Sequence, residues 1–97
     1  MQKESEKAQR AHIVVSGRVQ GIGFRYNVQK WAQSLGLKGW VRNLVDGSVE
    51  ILAEGEENSL RQFIEKIKQG FGQTHVDDCN VSYEIPTGEF FGFEILY

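Results

Sequence analysis

The spacing of hydrophobic and polar residues changes along the chain, and each change marks a predicted element. β-Branched residues concentrated in His12–Ser16 predict a first strand that ends at Gly17. A helix follows and is predicted to stop at Gly36, because glycine readily takes the conformation that ends a helix. The apolar stripe of this helix repeats at i, i+3, i+4 and i+7 and consists of Val28, Trp31, Ala32 and Leu35.

Two further strands are predicted over Gly39–Val45 and Ser48–Glu54, on either side of the dipeptide Asp46-Gly47. Asp-Gly between two hydrophobic runs is a strong hairpin signal, and it favours a type I′ turn with positive φ at both central residues. Residues 39–54 are therefore predicted to form a β-hairpin.

The second half of the chain repeats the helical pattern and then returns to strands. A second helix is predicted to end at Gly70, and its apolar stripe consists of Leu60, Phe63, Ile64 and Ile67. Val76–Ile85 is predicted to be a strand, and a short last strand has alternating Phe91, Phe93, Ile95 and Tyr97. The order β-α-β-β-α-β predicts an α+β, ferredoxin-like fold. In it an antiparallel sheet carries two helices on one face and a short extra C-terminal strand.

Length and composition limit the chain to one small domain. It has 97 residues, and we expect residues 11–97 to form the domain and residues 1–10 a flexible polar tail. No apolar run approaches the length of a membrane span, and the first residues do not resemble a signal peptide. The single cysteine, Cys79, excludes an internal disulfide. We therefore expect a cytoplasmic protein without a membrane partner, and a monomer.

Charge is distributed unevenly along the chain, although the formal net charge is only −2. Residues 1–45 have eight Lys and Arg against two Glu, whereas residues 46–97 have three against eleven acidic residues. The near-neutral total argues against a general nucleic-acid-binding protein. The positive first half indicates an anionic partner of another kind.

The segment from Gly17 to Arg25, which links the first strand to the first helix, is rich in glycine. Glycines there allow successive backbone N–H groups to point into one concavity, to which the helix N-terminus adds its unpaired N–H groups. Arg18 and Arg25 flank this loop, and a guanidinium can bind two phosphate oxygens at once. The loop lacks the Gly-Lys-Ser/Thr of a nucleotide-binding P-loop, and a plain connection remains the alternative to an anion site.

Asn43 is the second candidate for function. The β-α-β crossover makes the first two strands parallel, so Asn43 can reach the same sheet edge as the glycine-rich loop. Period 2 places its amide on the face of Val41 and Val45, where an apolar side chain is expected. This amide therefore either bonds to neighbouring backbone or has a role in the site.

Metal-binding and nucleophilic alternatives have little support in the sequence. His12 and His75 lack the spacing of metal ligands, and Cys79 lacks a neighbouring activating pattern. We therefore expect no metal site and a structural position for Cys79 in a strand.

Two segments closely resemble the signature sequences of the acylphosphatase family: residues 17–25, GRVQGIGFR, and residues 39–50, GWVRNLVDGSVE. The resemblance covers residues 11–97 and is strongest over 17–55. Ile22 stands where valine is usual, and Gly70-Phe71-Gly72 replaces the proline-containing link common after the second helix. Neither departure affects the residues to which the family assigns the chemistry.

The resemblance implies hydrolysis of acyl phosphates to a carboxylate and inorganic phosphate, without metal or cofactor. It implies that Arg25 binds the phosphate and that Asn43 positions the attacking water. It also assigns phosphate binding to backbone N–H groups of the loop residues Arg18, Val19, Gln20, Gly21, Ile22, Gly23 and Phe24. Trp31, Trp40, Phe90 and Phe91 are expected in the core, although the last three could instead form an apolar rim for the acyl group.

The chief alternative is a non-catalytic module of the same fold that binds an anion or a small ligand. RNA-recognition domains share this element order, but they stack bases on aromatic residues of a central strand. The corresponding strand, Ser48–Glu54, has no aromatic residue and two acidic ones, which disfavours RNA binding.

Overall fold

The structure, a computed structural model, describes residues 7–97 and confirms the predicted order of elements. These are β1 (Ala8–Arg18), α1 (Phe24–Ser34), β2 (Lys38–Asn43), β3 (Val49–Glu56), α2 (Glu57–Gln69), β4 (His75–Glu84) and β5 (Phe93–Leu96). Within this described part, neither helix combines the length and apolar character needed to cross a membrane.

The five strands form one sheet in the order β4-β1-β3-β2-β5. β3 lies between β1 and β2 and is antiparallel to both, so β1 and β2 are parallel to each other. This is the predicted split β-α-β arrangement. The extra strand β5 pairs in parallel with the outer side of β2, so the complete sheet is mixed.

A single hydrophobic core lies between the sheet and the two helices. Alternate residues of the strands face it, as in the paired positions Ile13 and Ile51, and Val41 and Ile95. The predicted stripe of α2 is buried, and Val28 and Ala32 of α1 are fully buried in the same cluster. Both helices therefore pack on one face of the sheet, as predicted.

The hairpin between β2 and β3 exists, but its predicted turn type is wrong. Asp46 does not have the positive φ that a type I′ turn requires, and only Gly47 does, at 96°. A loop of three residues separates Leu44 from Ser48. It is closed by a hydrogen bond of 2.9 Å that the Leu44 N–H donates to the backbone oxygen of Ser48. Val45 lies in this loop and is fully exposed, so it does not share the buried face of Val41.

The aromatic residues near the last strand differ from the core prediction. Phe91 is 97% exposed, and Trp40 and Phe90 are only partly buried. Trp40 lies on the sheet face opposite the helices, because alternation along β2 places its neighbour Val41 in the core. Trp31 is partly buried against the core and meets Phe71 edge-on.

The prediction of a tail over residues 1–10 lies largely outside the described residues. Within the described part, Ala8, Gln9 and Arg10 belong to β1. Their backbone is held on the β3 side, where Ala8 is opposite Glu56, and Arg10 also pairs with Glu84 of β4. Pairing partners distant in sequence thus extend the strand beyond the run of β-branched residues.

Candidate active site

The C-terminal ends of β1 and β2 lie at one edge of the sheet, because the two strands are parallel. The glycine-rich loop leaves β1 at this edge, and Asn43 is the last residue of β2. The topology therefore brings the glycine-rich loop and Asn43 to the same edge, as the β-α-β crossover predicts.

A cavity of about 310 Å³ opens at this edge. Its walls come from the glycine-rich loop, the first turn of α1 and the ends of β2 and β5. The lining residues are Val19, Gly21, Gly23, Phe24, Arg25, Tyr26, Asn43, Ile95 and Tyr97. Arg25 and Asn43 thus share one cavity.

Two glycines shape the loop wall of this cavity. Gly21 and Gly23 have φ values of 81° and 78°, in the left-handed region that residues with a Cβ rarely adopt. Gly23 is also the N-cap of α1, and no side chain caps that helix. The first-turn N–H groups therefore lack side-chain acceptors and can bind an anion. Val19 and Phe24, each 1% exposed, anchor the two ends of the loop in the core.

The side chain of Gln20 ties the loop to the hairpin that follows Asn43. Its amide donates hydrogen bonds to the backbone oxygens of Leu44, at 2.9 Å, and Ser48, at 2.8 Å. The loop wall and the Asn43 wall of the cavity are therefore connected directly.

Arg25 lies in the first turn of α1, where its guanidinium can add to the helix N–H groups. The guanidinium lies over the ring of Tyr97, with 5.1 Å between its carbon and the ring centroid. No acidic side chain among residues 7–97 forms an ion pair with Arg25. Its charge is therefore available to an anion in the cavity.

Asn43 is partly buried, and its Oδ1 has no hydrogen-bond partner among residues 7–97. A buried amide oxygen without a partner costs about 1–3 kcal/mol, so native proteins seldom leave one unpaired. The sequence left open whether the Asn43 amide bonds to neighbouring backbone or has a role in the site. In the structure no backbone N–H of residues 7–97 donates a hydrogen bond to its Oδ1.

Several loop residues that the family resemblance assigns to phosphate binding do not line the cavity. Arg18 is exposed at the end of β1, and Ile22 and Gln20 are also absent from the lining. Sequence reasoning missed Tyr26, Ile95 and Tyr97 as lining residues. Ile95 and Tyr97 reach the cavity because β5 pairs with β2, and the sequence does not specify this pairing.

The residue before Asn43 faces the other side of the sheet. Arg42 donates from Nε to Glu50 at 2.7 Å, and the same carboxylate lies 2.7 Å from Nε2 of His12. Partial burial raises the pKa of Glu50, but the bonds from His12 and Arg42 outweigh it and hold that pKa below its ordinary value. Glu50 therefore engages the Arg42 charge outside the cavity.

Titratable groups elsewhere form no metal-ligand cluster within residues 7–97, where no three His, Cys, Asp or Glu side chains gather. His75 pairs with Asp77 on the surface. Burial, the largest influence, raises the pKa of the Cys79 thiol and disfavours its reactive thiolate form.

Comparison with known proteins agrees with this geometry. The sequence model of the acylphosphatase family matches residues 11–95. The chain belongs to the acylphosphatase family. An acylphosphatase from Acaryochloris marina is 53% identical over 83 residues, which cover 86% of this chain and 88% of that protein.

Solved acylphosphatase structures share the fold over nearly their full length. The crystal structure of the Bacillus subtilis acylphosphatase superposes with a TM-score of 0.89 and 46% identity, covering 92% of this chain and 99% of that one. A structure from Coxiella burnetii gives a TM-score of 0.87 at 38% identity, covering 98% of both chains. The activity of the chain is therefore that of an acylphosphatase, the hydrolysis of acyl phosphates.

Proposed function

We propose that Arg25 and the N–H groups of the glycine-rich loop hold the phosphate of the substrate in the 310 Å³ cavity. The observation that carries the proposal is that Arg25 and Asn43 line the same cavity and that the Oδ1 of Asn43 has no hydrogen-bond partner among residues 7–97. A guanidinium can bind two phosphate oxygens, and charge-assisted hydrogen bonds contribute about 1.5–3 kcal/mol each. Loop and arginine together stabilise the charge on the transferring phosphoryl group.

Asn43 positions the attacking water. Its unpartnered Oδ1 accepts a hydrogen bond from the water, which directs an oxygen lone pair towards phosphorus. Attack in line with the departing acyl oxygen then breaks the bond between phosphorus and that oxygen. The products are a carboxylate and inorganic phosphate. Asn43 contributes positioning and Arg25 contributes charge stabilisation.

A phosphate oxygen of the substrate takes the proton of the attacking water. None of the nine residues that line the cavity has a carboxylate or imidazole side chain that could act as a general base. The carboxylate is a good leaving group, so neither a strong protein base nor a metal is needed to weaken the bond. The reaction is therefore independent of metal ions and cofactors.

Arg18 acts at longer range than Arg25. It is exposed and does not line the cavity, so its charge attracts the substrate without binding it firmly. Added salt should weaken this attraction because exposed charges are screened within about 10 Å at 0.1 M ionic strength.

The test is hydrolysis of benzoyl phosphate with EDTA present, for the wild type, Arg25→Ala and Asn43→Ala. We expect undiminished wild-type activity, and a loss of about 100-fold to 1,000-fold in kcat/KM for Arg25→Ala. Asn43→Ala should lose about as much in kcat, while the inhibition constant of inorganic phosphate stays close to that of the wild type.

Two exposed residues of α2 provide matched controls: Arg61→Ala removes a guanidinium and Asn58→Ala removes an amide, both outside the cavity. Each should retain wild-type kinetics. Full activity in Arg25→Ala or Asn43→Ala would refute the role of that residue. Loss of wild-type activity in EDTA, restored by a divalent cation, would refute the metal-free mechanism.

The remaining proposals concern the surroundings of the enzyme. We propose a cytoplasmic monomer whose only partner is a small acyl phosphate, with no nucleic-acid or membrane partner. The single cysteine, which allows no disulfide within the chain, supports a reducing compartment. Cell fractionation and sedimentation equilibrium test the two statements, and a membrane-bound fraction or a dimeric mass would contradict them.

A further inference from the structure

Tyr26 and Tyr97 lie beside Arg25 at the mouth of the cavity, and neither has a role in the proposed chemistry. Tyr97 stacks against the Arg25 guanidinium, and Tyr26 is the next residue along α1. Both line the cavity, yet their exposed fractions are 99% and 58%. Large aromatic side chains in water at the entrance of a polar cavity are suited to contact an apolar part of the ligand.

The other lining residues offer much less apolar surface to a ligand. Two are glycines, and Val19, Phe24 and Ile95 are packed into or against the core. The remaining two are the proposed catalytic side chains. Among the nine lining residues, Tyr26 and Tyr97 are therefore the exposed aromatic side chains, and Ile95 adds a smaller, partly buried apolar surface.

The direction of attack also limits where the acyl group can lie. In-line displacement places the departing carboxylate opposite the attacking water, and the proposed mechanism holds that water at Asn43. The acyl group then leaves away from Asn43. A neighbouring groove, lined by Val45 and other hairpin residues, shares both Asn43 and Tyr97 with the cavity, whereas Tyr26 does not line that groove.

We infer that Tyr26 and Tyr97 bind the acyl group of the substrate and make the enzyme selective for acyl phosphates with aromatic or bulky apolar acyl groups. This inference rests on the proposed function, because it takes the position of the water from Asn43. The aromatic residues near β5 have a different position: Trp40, Phe90 and Phe91 line a separate groove that shares no residue with the cavity.

The test compares kcat/KM for benzoyl phosphate with kcat/KM for acetyl phosphate, whose acyl group offers only a methyl. Replacement of the stacking partner of Arg25 affects both substrates, so the ratio isolates contact with the acyl group. We expect Tyr26→Ala and Tyr97→Ala each to lower the ratio by about threefold to tenfold. Tyr26→Phe and Tyr97→Phe, which keep the rings, should preserve it within about twofold.

Two exposed hydrophobic residues outside the cavity serve as controls. Phe91→Ala removes an equally exposed aromatic ring, and Val45→Ser alters the groove on the Asn43 side. Neither should change the ratio. The inference is overturned if both tyrosine-to-alanine variants keep the wild-type ratio, or if Val45→Ser alone lowers it.

Failure of the proposed mechanism would give a different result. In that case acetyl phosphate hydrolysis would persist in Arg25→Ala or Asn43→Ala, whatever the tyrosine variants do. Acetyl phosphate thus reports on the phosphate site and the ratio reports on the acyl contact.

Discussion

In the proposed mechanism, Asn43 and Arg25 have different tasks that follow from their side chains. An amide oxygen accepts a hydrogen bond but carries no charge, so it can orient a water without competing for the phosphate. A guanidinium donates to two oxygens and keeps its charge at any physiological pH. The proposed water supplies the hydrogen-bond donor that the Oδ1 of Asn43 lacks among residues 7–97.

Gln20 joins the glycine-rich loop to the hairpin after Asn43 through the two hydrogen bonds of its amide, so we expect it to position these two side chains relative to each other. Gln20→Met keeps the length of the side chain but removes both donors. We expect the free energy of unfolding to fall by about 1–2 kcal/mol, since each bond contributes about 0.5–1.5 kcal/mol. We expect kcat to fall about tenfold because the loop and Asn43 lose their fixed relation. Chemical denaturation and steady-state kinetics measure the two effects.

A purely structural role of Gln20 would alter stability and leave catalysis unchanged. The inhibition constant of inorganic phosphate should stay within about threefold, since Arg25 and the loop N–H groups remain. Gln33→Met, on the exposed side of α1, is the matched control and should alter neither quantity appreciably. Wild-type kcat in Gln20→Met would contradict a positioning role.

At the scale of elements, the sequence predicted what depends on neighbours along the chain. The helical stripes identified α1 and α2 because burial on one helix face requires apolar residues every three or four positions. The Asp-Gly pair identified the hairpin but not its turn type. The loop has three residues instead of the two of a type I′ turn, and Asp46 therefore does not need a positive φ. The full length of β1 was not predicted either, because pairing with strands distant in sequence extends it.

The candidate site likewise has parts that the sequence predicts and one wall that it does not. Arg25 and the loop were predictable because their residues are contiguous, and Asn43 because the crossover rule fixes the sheet edge that it reaches. Tyr97 reaches the cavity only because β5 pairs in parallel with β2, and residues 44–92 separate the two strands. Alternation in residues 91–97 suits a strand but does not name its partner, so this wall of the site needed the structure.

At the scale of the whole molecule, two acidic residues of the negatively charged segment 46–97, Glu50 and Glu54, lie on the sheet face opposite the helices. Glu50 pairs with Arg42 and His12, and Glu54 lies 3.3 Å from Nη1 of Arg10. These contacts bind acidic groups to basic ones away from the substrate. None of the nine described residues that line the cavity has a carboxylate side chain, so Arg25 makes their side-chain charge positive although the total of the chain is −2.

Glu54 holds the connection between β4 and β5 on that opposite face. Its carboxylate accepts hydrogen bonds from the N–H groups of Thr87, at 2.8 Å, and Gly88, at 3.0 Å. Burial raises the pKa of Glu54, but these bonds and the Arg10 charge outweigh it and lower that pKa below its ordinary value of 4.5. The connection leads into β5, whose end reaches the active site.

A lowered folded-state pKa makes stability depend on pH with a definite sign. The unfolded chain binds a proton at Glu54 more readily than the folded protein does, so this contribution is complete above the unfolded pKa. It is lost as the pH falls below about 5 and through the lowered folded pKa. Glu54→Gln removes the titrating group. We therefore expect a free energy of unfolding lower by about 1–2 kcal/mol at pH 7, and a shallower decline of that free energy between pH 5 and pH 3.

Urea denaturation across this pH range measures both quantities, with Glu65→Gln on the exposed side of α2 as the control. If Glu54→Gln and wild type lost stability in parallel from pH 5 to pH 3, the carboxylate of Glu54 would not be the group that holds the connection.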